Sequence, residues 1–198
     1  MRRNPKDRIT VSVSRNLALS AVFGALYAAL VVAFAPISIL PIQVRIADVL
    51  LPLAILFGWP AILGLGVGTV VGNFAADSFT GFPSASIGLD ILGGSLVNLL
   101  AAYLAWRIGR RSWRVRNLNA SWFAATIVET VLISIVVGGY LSPVFSIPLG
   151  VSIVTILVGE IVAINILGFA LLNIIGKDKG LDRFRSWGLR VCGTDKDR

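Results

Sequence analysis

"ADVLLPLAILFGWPAILGLGVGTVVGNFAAD", residues 47–77, is apolar for almost its whole length yet begins and ends beside an aspartate. How it folds decides the architecture. As one helix rising ~1.5 Å per residue it would be overlong for a membrane and would hold a proline in its interior. Gly58-Trp59-Pro60 breaks the run near its middle. A hairpin follows, with arms of roughly 15 residues, or roughly 22 Å each, which is short for a span.

The rest of the chain sets the solvent. Of 198 residues 56% are hydrophobic and 14% charged, with a mean hydropathy of +0.85. A soluble domain carries roughly 25% charged residues, so this chain lacks the polar surface to meet water. Four further stretches, 17–35, 87–106, 120–141 and 149–175, each supply the ~20 apolar residues that cross ~30 Å of hydrocarbon. The start imitates a signal peptide, but the apolar run Leu17 to Ala35 exceeds the usual ~7–15-residue signal core. It reads as a retained span.

Charge gives the orientation. Five Lys and Arg lie in 1–16, five in 107–119 and seven in 176–198, with Arg45 the one elsewhere. This is the positive-inside pattern of cytoplasmic loops. The segments 1–16 and 107–119 then share one side, so an even number of crossings separates them. Two crossings by 47–77 satisfy this, as does a re-entrant hairpin; two short helices are the expectation taken here. The predicted fold is all-α and integral to the membrane, with six transmembrane helices over 17–175. The basic N-terminus 1–16 and the basic tail 176–198 are both cytoplasmic. The outer connections, about 36–46, 78–86 and 142–148, are rich in Pro, Ser and Gly. In the tail, Leu181, Phe184 and Trp187 among basic residues suit either the anionic inner leaflet or a solvated segment.

Composition also excludes chemistry. Histidine is absent and Cys192 is the lone cysteine, so no disulfide, metal site or cofactor is expected. No Lys is embedded in a span to serve a Ser–Lys pair, and the aspartates lie near the rim rather than facing each other at mid-depth. A Walker motif is missing, which leaves no route to ATP hydrolysis by this chain. No aromatics interleave with a basic groove, so nucleic acid is not a partner. An enzyme is not expected.

Two stripes of small residues stand out. Ala21, Ala25, Ala29 and Ala33 recur every four residues on the first span, flanked by Ala18, Gly24 and Ala28. Such spacing stacks side chains in one line and lets another helix approach closely. The line serves either internal packing or docking of a separate membrane protein. Gly64, Gly68 and Gly72 form a similar stripe; "GLGVG" sits within an apolar helix with no preceding strand, so it reads as tight packing rather than a dinucleotide loop.

The polar residues in the oil point to a site. Arg45 and Asp48 open the second helix, Asp77 closes the third and Asp90 opens the fourth, all near the outer face. Arg45–Asp48 is either an interfacial ion pair or the rim of a pocket. Asp77 reads as a solvated helix end or a pocket group, and Asp90 as a cap or a ligand contact. Glu129 and Glu160 lie close to the midpoints of the fifth and sixth helices, where a carboxylate costs at least ~2.5–3.5 kcal/mol. No Lys or Arg shares that depth. These glutamates either carry protons or await a ligand that donates hydrogen bonds. Asn73, Asn98 and Asn165 add amides. A polar cluster that deepens from the outer face to two glutamates describes a pocket for a small polar molecule.

"PIQVRIADVLLP" at 41–52, "GTVVGN" at 68–73, "LDILGGSL" at 89–96 and "VGEI" at 158–161, in this order, resemble the QueT family. These are substrate-binding S components of energy-coupling factor (ECF) transporters, importers of queuosine precursors. The resemblance covers about 17–175 and rests on the order and spacing of short motifs. It implies a six-helix subunit that binds its small-molecule substrate in the lipid membrane. The implied partners are a transmembrane coupling protein and a cytoplasmic ATPase pair. It also implies that the loaded subunit topples to deliver its guest.

Ala21, Ala25 and Ala29 resemble the surface by which such subunits dock. Arg45, Asn73, Asp90 and Glu160 carry over as motif residues, with Asp48 added. Family members tend to read Ser-Glu where this chain has Ala47-Asp48, one methylene shorter, which puts reach and substrate choice in question. With a 7-deazaguanine guest, Glu160 is expected to accept two adjacent N–H donors, with Asn73 or Asn98 on the carbonyl edge. Asp90 or Asp48 would meet an aminomethyl cation, and Arg45 would orient that carboxylate. Trp59, Phe79, Phe82 and Tyr140 are the candidate stacking rings. Another vitamin or purine-like ligand, or a membrane scaffold whose acids only hold helices together, are the competing readings.

Overall fold

The computed structural model describes residues 5–38, 44–111, 114–115, 118–187, 189 and 191. Residues 1–4 of the basic N-terminus, 39–43 of the 36–46 connection, and the tail beyond 191 with Cys192 lie outside the described residues.

Helix α1 runs Pro5–Ala33. The 47–77 region does break at Gly58, whose φ of 62° is a left-handed value that side chains resist. The indole of Trp106 lies so near that a Cβ there would come within 3.1 Å of Nε1. The two arms are unequal, however. Helix α2, Ile46–Phe57, begins as tight 3-10 turns over Ile46–Leu53 and ends as one α turn, Ala54–Phe57. Helix α3, Trp59–Thr80, has 22 residues, ~33 Å, and Pro60 is tolerated in its first turn. The expected arms of roughly 15 residues are thus corrected to 12 and 22.

The reason is burial. Almost every residue of α2 is buried, Leu51, Ala54, Ile55 and Leu56 completely. A helix walled by other helices need not match the bilayer thickness, because protein covers its ends.

Helix α4 spans Ile87–Gly109. A two-residue antiparallel ribbon, β1 Arg114–Val115 and β2 Leu118–Asn119, pairs Arg114 with Asn119 and Val115 with Leu118. Helix α5 covers Ala120–Phe145 and α6 covers Leu149–Ile175. Within α6 an α segment ends at Glu160, Ile161–Gly168 is π-helical, and Phe169–Ile175 returns to α. Helix α7, Asp178–Ser186, follows. Among the described residues, five helices are long and apolar enough to cross a membrane, namely α1, α3, α4, α5 and α6.

The five long helices pack in chain order, α1 on α3, α3 on α4, α4 on α5 and α5 on α6, and α2 touches all of them at the centre. Glycine makes the first contact close. A Cβ on Gly68 would come 2.6 Å from the Gly24 carbonyl, and one on Gly72 would come 2.9 Å from Val31 Cβ. Without a hydrophobic drive between helices in lipid, such backbone approach supplies the attraction.

At the end where α3 begins, Trp59, Tyr103 and Trp106 cluster with centroids 5.8–6.0 Å apart. The Arg110 guanidinium lies 5.0 Å over the Trp106 ring, an arrangement suited to a membrane–water interface. Helix α7 tucks under the same end. Leu181 is buried and Phe184 meets Phe57 edge-on at 5.1 Å. Its apolar side therefore contacts the bundle, and the segment is not wholly solvated.

Candidate binding site

Where α1, α3 and α5 end and α4 begins, the helices surround a cavity of about 100 Å³. Its wall includes Arg45, Asp77, Phe82, Asp90, Phe145 and Glu160. Residues from every part of the chain meet here because adjacent antiparallel helices bring alternate ends together.

Arg45 precedes α2 with φ −86° and ψ 87°, outside helical geometry. Its side chain therefore does not lie over Asp48 one turn on. Its Nη2 donates to Asn73 Oδ1 at 3.0 Å and stands 3.8 Å from Asp90 Oδ2. Asn73 Nδ2 donates to Asp90 Oδ2 at 2.7 Å, and the Tyr140 hydroxyl donates to Asp90 Oδ1 at 2.7 Å. Both oxygens of Asp90 are engaged. The "GG" of 93–94 makes this possible: a Cβ on Gly93 would come 2.9 Å from the Tyr140 ring, and one on Gly94 would come 2.8 Å from Asn73 Nδ2.

Asp48 belongs to a second, deeper layer and is fully buried, so it does not rim the mouth. The Tyr27 hydroxyl donates to Asp48 Oδ1. Asn98 Nδ2 lies 2.7 Å from Tyr27 Oη, 3.1 Å from Thr69 Oγ1 and 3.4 Å from Asp48 Oδ1. Glu160, 2% exposed, reaches the cavity wall from α6, and its carboxyl lies within hydrogen-bonding reach of Asp48. Glu160 Oε2 and Asp48 Oδ2 have no hydrogen-bond partner among the described residues beyond that mutual approach.

Glu129 is fully buried, and neither of its oxygens has a partner among the described residues. It is absent from the cavity wall. Thr126, one turn before it, and Thr130, the next residue, clasp Asn165: Thr130 Oγ1 donates to Asn165 Oδ1 at 2.6 Å, and Asn165 Nδ2 donates to Thr126 Oγ1 at 3.1 Å. Asn165 lies within the π segment that begins directly after Glu160. A π turn widens the helix and commonly marks a functional position.

Of the seven residues chosen from sequence, Arg45, Asp90 and Glu160 face the cavity. Asn73 stands behind the first two, Asp48 and Asn98 form the deeper layer, and Glu129 lies apart from the wall. Asp77 is not a solvated end; it is 8% exposed and part of the wall. Tyr27 and Thr69 escaped notice because an aromatic or a hydroxyl in a span ordinarily reads as packing. Among the aromatic candidates, Phe82 lines the cavity with Phe145, at 5.4 Å edge to face. Tyr140 serves Asp90 instead. Trp59 lies at the opposite end of α3, and Phe79 is 59% exposed.

Ala21, Ala25 and Ala29 are all exposed, while Gly24, Tyr27 and Val31 on the other side of α1 are buried. The alanine stripe is therefore not used for packing within the chain.

Among known families, the one described as QueT transporter matches residues 17–177. No curated protein and no solved structure matches.

Proposed function

The chain belongs to the QueT transporter family and is a multi-pass membrane protein, and we propose that it is the substrate-binding S component of an ECF importer. Its guest is a queuosine precursor of the 7-deazaguanine type. Residues 17–175 form the membrane domain, with buried α2 counted as the sixth helix and the basic segments 1–16 and 176–198 both in the cytoplasm. Counting α2 restores the even number of crossings that the two basic segments require.

One observation carries this reading: Glu160, almost fully buried, lines a cavity with a carboxylate oxygen that has no hydrogen-bond donor among the described residues. Leaving such a group unmatched is costly in hydrocarbon. A guanine-like edge offers two adjacent N–H donors, which one carboxylate can accept together. The small cavity suits a compact one- or two-ring molecule, below the ~300–1,000 Å³ of drug-sized sites. Phe82 and Phe145 supply an aromatic wall for a flat ring. Arg45, Asn73 and Asp90 hold the mouth, while Asp48 and Asn98 brace Glu160 from behind. Glu129 adjusts the deep layer without touching the guest.

The exposed Ala21, Ala25 and Ala29 give a smooth surface for a transmembrane coupling protein. ATP hydrolysis falls to a cytoplasmic ATPase pair, and the chain is a transporter subunit rather than an enzyme.

The test is native mass spectrometry of the chain purified gently from cells that make queuosine. A retained mass equal to a 7-deazaguanine is expected. A different retained compound would reassign the ligand and overturn the proposal.

A further inference from the structure

Asp48 and Glu160 are two acids pressed together in the middle of the bundle. Asp48 sits in the tight turns of α2, and Glu160 closes the first α segment of α6, just before the π turns. These two stretches pack directly on one another. Gly168 makes the approach close, since a Cβ there would come 3.1 Å from the Val49 carbonyl oxygen and 3.0 Å from Pro52 Cγ. Asp48 is fully buried and Glu160 nearly so, and their carboxyls are within hydrogen-bonding reach of each other.

The groups around the pair are accounted for. Tyr27 from α1 and Asn98 from α4 both donate to Asp48 Oδ1, and Asp48 Oδ2 has no partner among the described residues apart from Glu160. Arg45, ahead of α2, gives its guanidinium to Asn73 and Asp90. From α3 comes the neutral hydroxyl of Thr69, which accepts from Asn98. Glu129 on α5 is one more buried acid. A hydrogen bond between two carboxyls needs a proton on one of them, because ionised carboxylates only accept. Two carboxylates at that distance, away from water, do not both ionise.

We propose that Asp48 and Glu160 hold one proton between them, and that Asp48 is thereby a positioning residue that aims Glu160 at the guest. The O–H···O bond occupies one oxygen of each acid. Asp48 is already tied to α1 and α4, so it anchors the Glu160 carboxyl and leaves Glu160 Oε2, bare among the described residues, for the cavity. Each carboxylate oxygen has a spare lone pair, so a second guest N–H is still accepted. The positioning role rests on the reading of Glu160 as the group that meets the guest; the shared proton does not.

Infrared spectroscopy of the full chain in an ester-free detergent tests the proton without any ligand, because a protonated carboxylic acid has a carbonyl band that a carboxylate lacks. Asp48→Asn and Glu160→Gln are each expected to remove one such band, and the double variant to remove no more than either alone. Two bands lost in the double variant would mean two separate acids, and none lost in any variant would mean two carboxylates; either result overturns the proposal. Binding of 7-deazaguanine tests the positioning. Asp48→Ala should weaken it at least about tenfold. Asp48→Asn, which offers an N–H in place of the shared O–H, should recover most of that loss. Equal losses in the two variants would overturn the positioning role. If Asp48→Ala does not fold, binding by Asp48→Asn as weak as that of Glu160→Gln overturns it as well. No binding by the wild type would reject the function proposed above and the positioning role with it, while the infrared result still decides the shared proton.

Discussion

The guanidinium of Arg45 bridges to Asp90 at 3.8 Å on one side and to Asn73 at 3.0 Å on the other, tying the start of α2 to α3 and α4. The Arg–Asn–Asp triad fixes the mouth of the cavity before any guest arrives. Replacing Arg45 with Met leaves Asp77 and Asp90 without a compensating charge. The expected cost is ~1–3 kcal/mol of stability, read as a lower thermal-unfolding midpoint in detergent, with weakened ligand binding. An unchanged midpoint would show that the triad holds nothing.

The close approach of α1 to α3 predicts a sharp contrast between glycines. A Cβ on Gly64 would collide with the Ser20 carbonyl oxygen and come 2.9 Å from Phe23 Cβ, whereas nothing lies within 4 Å of one on Gly139. Gly64→Ala should destabilise by ~1–3 kcal/mol. Gly139→Ala, in a helix interior, should be neutral or stabilise by roughly 0.5–1 kcal/mol. Thermal unfolding of the two variants side by side checks this, and equal midpoints would contradict the packing described.

The exposed stripe on α1 separates binding from assembly. Ala25→Trp places a large ring in the middle of Ala21, Ala25 and Ala29, on the side of α1 opposite Gly24 and Tyr27. Ligand affinity is expected to stay as in the wild type while co-purification with a coupling protein is lost. Retained complex would remove the stripe from the docking account.

Much of the fold was legible in the sequence because a lipid environment imposes length and charge rules that residues obey one by one. The long spans and the break at Gly58 followed from apolar runs and from Gly-Trp-Pro. What escaped was set by neighbours. A buried helix such as α2 reads just as apolar as a lipid-facing one, so its short length was hidden. Arg45 and Asp48 looked like partners at helical spacing, but Arg45 lies outside the helix, and Asp48 is claimed by Tyr27 and Asn98 from distant parts of the chain. The burial of Asp77 depended on how α3 and α4 meet, which no local pattern records. The π turn after Glu160 likewise has no proline to announce it.

The central claim is that Glu160 stays submerged because an arriving guest supplies its hydrogen bonds. Calorimetric titration of the purified chain with a 7-deazaguanine, wild type against Glu160→Gln, tests it most directly. The substitution keeps size and replaces one carboxyl oxygen with an N–H donor, so two adjacent donors can no longer be accepted together. The account predicts at least about a tenfold loss of affinity, in line with the ~1.5–3 kcal/mol of a charge-assisted hydrogen bond, with the fold retained. Undiminished affinity in Glu160→Gln would contradict it.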